Sequence, residues 1–441
     1  MKLYRRASRT SGSTDPQVSA ITQGGVSKGA SRLARVRTAL FAAIATTALT
    51  ASTARAQLPS DDFFPIGVHS QPKNSFDKWK GRGVNTMFQW EAERNSFGVP
   101  TVTLQQWSDT AASKGLYYVR EPSANPADDL QDSHLLAWAQ KDEPDLSNHD
   151  PNPAYNIDIY QNWKAIGPSK PVWINFAGPG VTTTGADYRQ WVKGGDWIAS
   201  DWYPINWARY NNINFTGQAI DKLRKDSGGV PKRFMAYIET SWQKLSVGSR
   251  GPTRDEFRGS VWHAIMHGAG GIIYFPQVVP NTGVGGSFSY DGTPADVADE
   301  MTKVDAQIQS YARILNAAYN PSGRSLTSTN TAIESTWRVM QDGDYFFVLN
   351  QSSGTITNVP LTIAGLPGNI TALNVVGENR QELLTSGVIR DDFTPWQVHV
   401  YTTSTSLAGV SVPEPTTAGL AAAAIGLWAT SRRRRDRATK Q

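Results

Sequence analysis

The sequence predicts a (β/α)8 barrel followed by a small antiparallel β-sandwich, and three observations carry that expectation. Between Phe63 and Leu315, short apolar runs alternate with helix-period segments eight times within about 250 residues. No Gly-rich dinucleotide turn follows the first apolar run, which disfavours a doubly wound open sheet. Beyond Pro321 the pattern changes to short alternating runs separated by Gly, Asn, Asp and Pro, as antiparallel strands require.

Taken in order, the barrel strands are expected at 64–69, 84–90, 116–121, 135–140, 172–176, 197–203, 233–239 and 271–275. They are short, mostly apolar runs, as strands buried on both faces tend to be. Helical periodicity fills the gaps at 76–80, 104–114, 155–166, 188–193, 220–225 and 254–267, and a last helical stretch, 297–315, follows the eighth strand. The sandwich strands are expected at 333–339, 345–350, 359–363, 372–376 and 396–402. This divides the chain into a leader at 1–56, a barrel at 57–320, a sandwich at 321–403, a linker at 404–411 and a tail at 412–441.

The charges divide the same way. The chain has 43 Lys and Arg against 38 Asp and Glu, a net of +5. Nine basic residues lie in 1–56 and six in 412–441, so 57–411 has a net charge of −7. An acidic body excludes nucleic acid as the natural reading of a basic isoelectric point. There are no cysteines, which rules out disulfides, thiolate catalysis and Cys-ligated zinc.

Both ends read as addresses. Arg35 and Arg37 lead into an apolar run, Thr38 to Thr50, followed by Ala54-Arg55-Ala56: a secretory signal peptide that signal peptidase would cleave after Ala56. At the other end Val412-Pro413-Glu414-Pro415 precedes an apolar run from Ala418 to Ala429 and then Arg432 to Arg435. That ordered triple resembles the PEP-CTERM sorting signal, which implies exosortase-type processing. An apolar helix followed by arginines is also what a positive-inside membrane stop looks like. The body is therefore expected to be exported to the cell envelope, anchored or released at the surface.

In a barrel of this kind chemistry sits where the strands end. The fourth run closes in Trp138-Ala139-Gln140-Lys141-Asp142-Glu143-Pro144-Asp145 and the seventh in Ala236-Tyr237-Ile238-Glu239-Thr240-Ser241-Trp242. Two glutamates at opposite sides of one mouth are how paired carboxylates flank a glycosidic bond. Asp142 to Asp145 could equally open a helix, because acids and Pro favour a first turn. Glu239 is costly to bury unless it is paired or faces a wet cavity.

Glutamate and proline after strand four, with glutamate after strand seven, resemble glycoside hydrolase clan A, retaining (β/α)8 enzymes. The resemblance implies Glu143 as general acid/base, Glu239 as nucleophile and a carbohydrate substrate, with no cofactor. Asp142 stands where that clan places asparagine, which leaves open that Asp142 is itself the working carboxylate. It also motivates the rival reading, a catalytically inactive carbohydrate-binding or structural protein on the same scaffold.

Other strand-end groups suit a sugar site, aromatic faces against C–H faces and polar groups against hydroxyls. They are Trp90 and Glu91, Arg120, Trp138, Asn175, Asp201, Trp202, Tyr203, Trp242, Tyr274 and Gln277. No metal site is expected. His263 and His267 stand four apart without a zincin glutamate and read as helix-packing residues.

Overall fold

The computed structural model describes residues 58–405 apart from 91–92, 94–99, 147–148, 150, 183–184, 208–210, 245–246 and 281–284. The signal peptide, the sorting tail and Glu91 lie outside the described residues. No helix among the described residues is long and apolar enough to cross a membrane.

Eight parallel strands close a barrel: β1 (Ile66–His69), β2 (Thr86–Phe88), β3 (Tyr117–Arg120), β4 (Leu135–Ala139), β5 (Val172–Ala177), β6 (Trp197–Asp201), β7 (Arg233–Glu239) and β8 (Ile272–Phe275). Each pairs with the next, and β1 pairs with β8. Alternation then decides which side chains reach the interior. Phe88, Val119, Ala137, Ala139, Trp173, Trp197, Ala199, Met235, Tyr237 and Ile273 fill the barrel. Alanines offset the bulk of Trp173 and Trp197, keeping the volume near constant. Gly67 serves the same end, because a Cβ there would lie 2.3 Å from Phe88 Cδ2. The alternate residues, among them Val68, Tyr118, Trp138, Ile174, Ile198, Ile238 and Tyr274, pack under the outer helices.

The helices are α1 (Phe76–Gly81), α2 (Leu104–Ser113), α3 (Pro153–Ile166), α4 (Gly178–Thr182), α5 (Asn214–Asp226), α6 (Arg254–Met266), α7 (Ala295–Ser310) and α8 (Ala312–Leu315). Local chemistry starts several of them. Capping boxes open α2 (Thr103 with Gln106) and α6 (Thr253 with Glu256), and Asn152 caps α3 with Pro153 at its first position. The sequence expectation at 188–193 is corrected: that stretch holds a 3-10 turn, Trp191–Gly194, and the α-helix after β5 is α4.

The sandwich sets a five-stranded sheet, ordered β10-β11-β16-β13-β14, over a three-stranded one, β15-β12-β9. The strands are β9 (Ser325–Ser328), β10 (Ile333–Met340), β11 (Gly343–Asn350), β12 (Ile356–Ala364), β13 (Ala372–Val375), β14 (Arg380–Leu383), β15 (Val388–Phe393) and β16 (Val398–Thr402). Phe346, Val348, Leu361, Ile363, Ile389 and Phe393 fill the space between the sheets. On the other face of β11, Tyr345, Phe347 and Leu349 join the core that runs under the barrel helices. There Phe347 meets Trp262 of α6 and Tyr311, with ring centroids 6.2 and 5.6 Å apart.

Candidate active site

The loop after β4 is anchored before it reaches any ligand. The Gln140 amide donates to Asn156 O and Gly194 O and accepts from Asn156 Nδ2, tying the strand end to α3 and to the turn before β6. Residues 140–146 then form a loop and turn rather than a helix start, and α3 begins only at Pro153. Glu143 itself has φ +43°, a left-handed conformation that a non-glycine residue holds only where its surroundings enforce it. His149 and Leu146 grip its carbonyl, with His149 Nδ1 2.7 Å and Leu146 N 3.1 Å from Glu143 O. Asp145 accepts from Ala177 N at 3.1 Å and from Tyr188 OH at 2.5 Å, so its role is to pin the loop to the end of β5.

These restraints bring three carboxyl groups together. Asp142 Oδ1 accepts from Asn175 Nδ2 at 3.0 Å. The Glu143 carboxyl lies beside that of Asp201 on β6, and two neighbouring buried carboxyls resist ionising together. Burial, then the charges of Glu143 and Asp142, pushes Asp201 well above the usual carboxylate range, and burial pushes Glu143 up as well. The pair therefore titrates as one unit that keeps its proton unusually late.

A hydrogen-bonding wall faces the acids. His69 Nδ1 and Tyr237 OH are 2.9 Å apart, and burial lowers the His69 pKa, keeping the imidazole neutral. Burial holds the phenols of Tyr203 and Tyr237 protonated, reinforced by the neighbouring carboxylates. Tyr203 OH, Asn175 Oδ1 and Trp90 Nε1 are buried polar atoms without a hydrogen-bond partner among the described residues. Such atoms are costly unless something else satisfies them, and a hydroxylated ligand would.

Glu239 is differently placed. Its Oε1 accepts from Ile205 N at 2.7 Å, and its Oε2 accepts from Asn206 N at 2.9 Å and Asn206 Nδ2 at 2.7 Å. The residue is 2% exposed, and burial lifts its pKa to about 7 against the pull of those three donors. The strongest carboxylate field on it comes from Glu256 on α6, not from Glu143.

Several expected sugar contacts are engaged by other protein groups. Arg120 forms a buried ion pair with Asp129 at 2.9 Å and donates to Ser108 Oγ, while Trp138 Nε1 donates to the same Asp129. Trp202 stacks on Phe215 of α5 at 4.9 Å, and Tyr274 donates its hydroxyl proton to Asp305 on α7. Gln277 donates to Ser70 O at 3.1 Å, joining the ends of β8 and β1. Trp242 is 43% exposed, with Lys244 over its ring. His69, Tyr237 and Asn206, which the sequence reading passed over, complete the arrangement. His69 and Tyr237 were recognisable as the polar residues in inward register on β1 and β7.

The PEP-CTERM protein-sorting motif matches residues 411–435, so the tail is a signal for export and envelope targeting. No curated protein matches the sequence. Among solved structures, a Bacteroides fragilis protein assigned as an α-galactosidase/melibiase has 12% identity and a TM-score of 0.49, over 78% of this chain and 80% of that one. An α-amylase from Geobacillus thermoleovorans, complexed with acarbose, has 13% identity and a TM-score of 0.48, over 75% and 90%. A GH30 endoxylanase from Clostridium papyrosolvens has 13% identity and a TM-score of 0.41, over 78% and 97%. The chain is thus a (β/α)8 barrel with a C-terminal β-sandwich, carrying a PEP-CTERM sorting motif.

Proposed function

We propose that this protein is an exported glycoside hydrolase that cleaves O-glycosidic bonds of a poly- or oligosaccharide, with the Glu143–Asp201 pair as its proton donor. What supports the reading is a pair of neighbouring buried carboxyls, Glu143 and Asp201, both raised by burial, at the strand ends beside Asp142, Asn175, Tyr203, Tyr237 and His69. A general acid must stay protonated near neutral pH, and burial beside like charge is how a carboxyl does so. Glu143 gives the proton to the leaving oxygen, and the deprotonated pair then draws a proton from the attacking water.

A pair that acts together as the proton donor leaves the other side of the bond to a further carboxyl, which retaining enzymes place about 5 to 5.5 Å away. The opposing group is Glu239, as the resemblance implies, and to attack an anomeric carbon it must release the Ile205 and Asn206 donors. Glu143→Gln should lower kcat by about 100-fold to 10,000-fold. Glu239→Gln should be nearly inactive, with azide restoring turnover to an azide product of inverted configuration. The proton NMR spectrum of the first-formed sugar checks the stereochemistry. Parent-like turnover in both variants would overturn the assignment.

One observation favours a second reading, a carbohydrate-binding protein without hydrolysis: Glu239 is enclosed, with both oxygens already occupied. Saturable glycan binding by calorimetry, with no new reducing ends across a glycan panel, would select it.

A further inference from the structure

His263 and His267 stand one turn apart on α6 where it meets the sandwich, and the fold supplies the carboxylate that their sequence spacing lacks. His267 Nε2 is 2.7 Å from Glu334 Oε1 on β10, and His263 Nε2 is 3.4 Å from Glu334 Oε2. His267 Nε2 and Glu334 Oε2 are nonetheless buried atoms whose geometry forms no hydrogen bond. One ligand atom from each of the three residues lies within 4.8 Å of the others.

The surroundings hold the rings in place. His267 Nδ1 is 2.6 Å from Asp221 Oδ2 on α5, which leaves Nε2 directed at Glu334. The α5 backbone presses on both imidazoles at Gly217, where a Cβ would lie 2.3 Å from His267 Cδ2 and 2.6 Å from His263 Cε1. His263 is 1% exposed, whereas the side chains of His267 and Glu334 retain 16% and 22%. One side of the cluster is therefore open to water.

We propose that His263, His267 and Glu334 bind a divalent transition metal of the zinc type, which pins α6 of the barrel to β10 of the sandwich. Two imidazole nitrogens and one carboxylate oxygen suit zinc, whereas calcium and magnesium require oxygen donors. Bonds of about 2.0 to 2.1 Å in a tetrahedron set ligand atoms roughly 3.3 Å apart. The His263 gap fits as it stands, and the His267 gap opens slightly as metal replaces a proton. Water from the open side completes the fourth position. Asp221 is a positioning residue, holding the outer nitrogen of His267 as carboxylates do behind zinc-bound histidines. His267 closes α6 just before the start of β8, at the end of the barrel opposite the Glu143–Asp201 pair, so this metal is structural and independent of the proposed reaction.

The test uses the full chain without a polyhistidine tag, stripped with a chelator and titrated by calorimetry with zinc chloride and, separately, magnesium chloride. One zinc per chain is expected, with a raised melting temperature and, for cobalt, the visible absorption of a four-coordinate site. Glu334→Gln and His263→Gln should each weaken zinc binding at least about 100-fold, and Asp221→Asn about 10-fold to 100-fold. Glu334→Gln sits on a partly open surface, and an unchanged circular dichroism spectrum establishes that it is folded. No saturable zinc binding by the parent, parent-like affinity in both ligand variants, or equal affinity for magnesium would each overturn the proposal.

Discussion

Burial and hydrogen bonding pull Glu239 in opposite directions, and burial wins, lifting its pKa from 4.5 to about 7. Between those values the native chain holds a proton that the unfolded chain has released. The stability this contributes is fully present below about pH 4.5 and is lost as pH rises through 7, amounting to about 3 kcal/mol. Glu239→Gln carries no such proton. In urea unfolding at pH 5 and pH 8, the variant should lose less stability than the parent by about that amount; equal losses would mean the carboxylate stays charged throughout. The Glu143–Asp201 pair gives a kinetic counterpart. Asp201→Asn removes the partner that retains the proton, so the basic limb of the kcat/KM profile should move to lower pH while turnover persists. A dead Asp201→Asn beside an active Glu143→Gln would instead make Asp201 the donor. The Asp142, Glu143, Asn175, Asp201 and Tyr203 cluster was legible because strand ends converge in a barrel. Its limits were also physical. Trp138 and Tyr274 occupy the outward register of their strands, Trp202 follows β6 and packs on α5, and a list of strand ends that ignores alternation cannot separate them from Ala139, Asp201 and Phe275.

At the scale of elements, the outward residues become joints between strand and helix. Arg120 of β3 and Trp138 of β4 converge on Asp129, which also accepts from Ser123 N at 2.9 Å. Arg120→Ala should cost about 3 to 5 kcal/mol, because it leaves Asp129 buried without its counter-charge; chemical denaturation measures the loss, and a change below 1 kcal/mol would contradict it. Tyr274 plays the same part between β8 and α7. Burial keeps Asp305 well above the usual carboxylate range, and Tyr274 bonds one of its oxygens. Tyr274→Phe should destabilise by about 1 to 3 kcal/mol and leave KM for any glycan substrate unchanged, whereas a raised KM would return Tyr274 to the sugar site. The barrel strands were readable because each is a short, mostly apolar run that recurs at the spacing of strand-helix units. In the sandwich β9, β14 and β15 escaped notice, since Ser325-Leu326-Thr327-Ser328 and Arg380-Gln381-Glu382-Leu383 show little apolar alternation. Their place comes from pairing with β12 and β13, and pairing is a tertiary fact.

Across the whole molecule, one apolar core passes from the barrel into the sandwich. Val68, Trp262, Tyr311, Phe347 and Val400 belong to a single buried cluster, and β11 is apolar on both faces because it has a core on each side. Without the sandwich, α6 would present Trp262 to water, and without the barrel Phe347 would be bare. The two parts should therefore unfold together, so tryptophan fluorescence and far-ultraviolet circular dichroism should trace coincident urea transitions. Phe347→Ala is the sharpest probe, since the ring contacts both Trp262 and Tyr311 and is fully buried. The substitution should cost about 3 to 5 kcal/mol and shift both probes equally. If it moved only the circular dichroism and left the barrel tryptophans at the parent midpoint, the sandwich would be an independent appendage. A coincident shift would make the sandwich a brace for the helix layer behind β7 and β8, and so for the strand that carries Glu239.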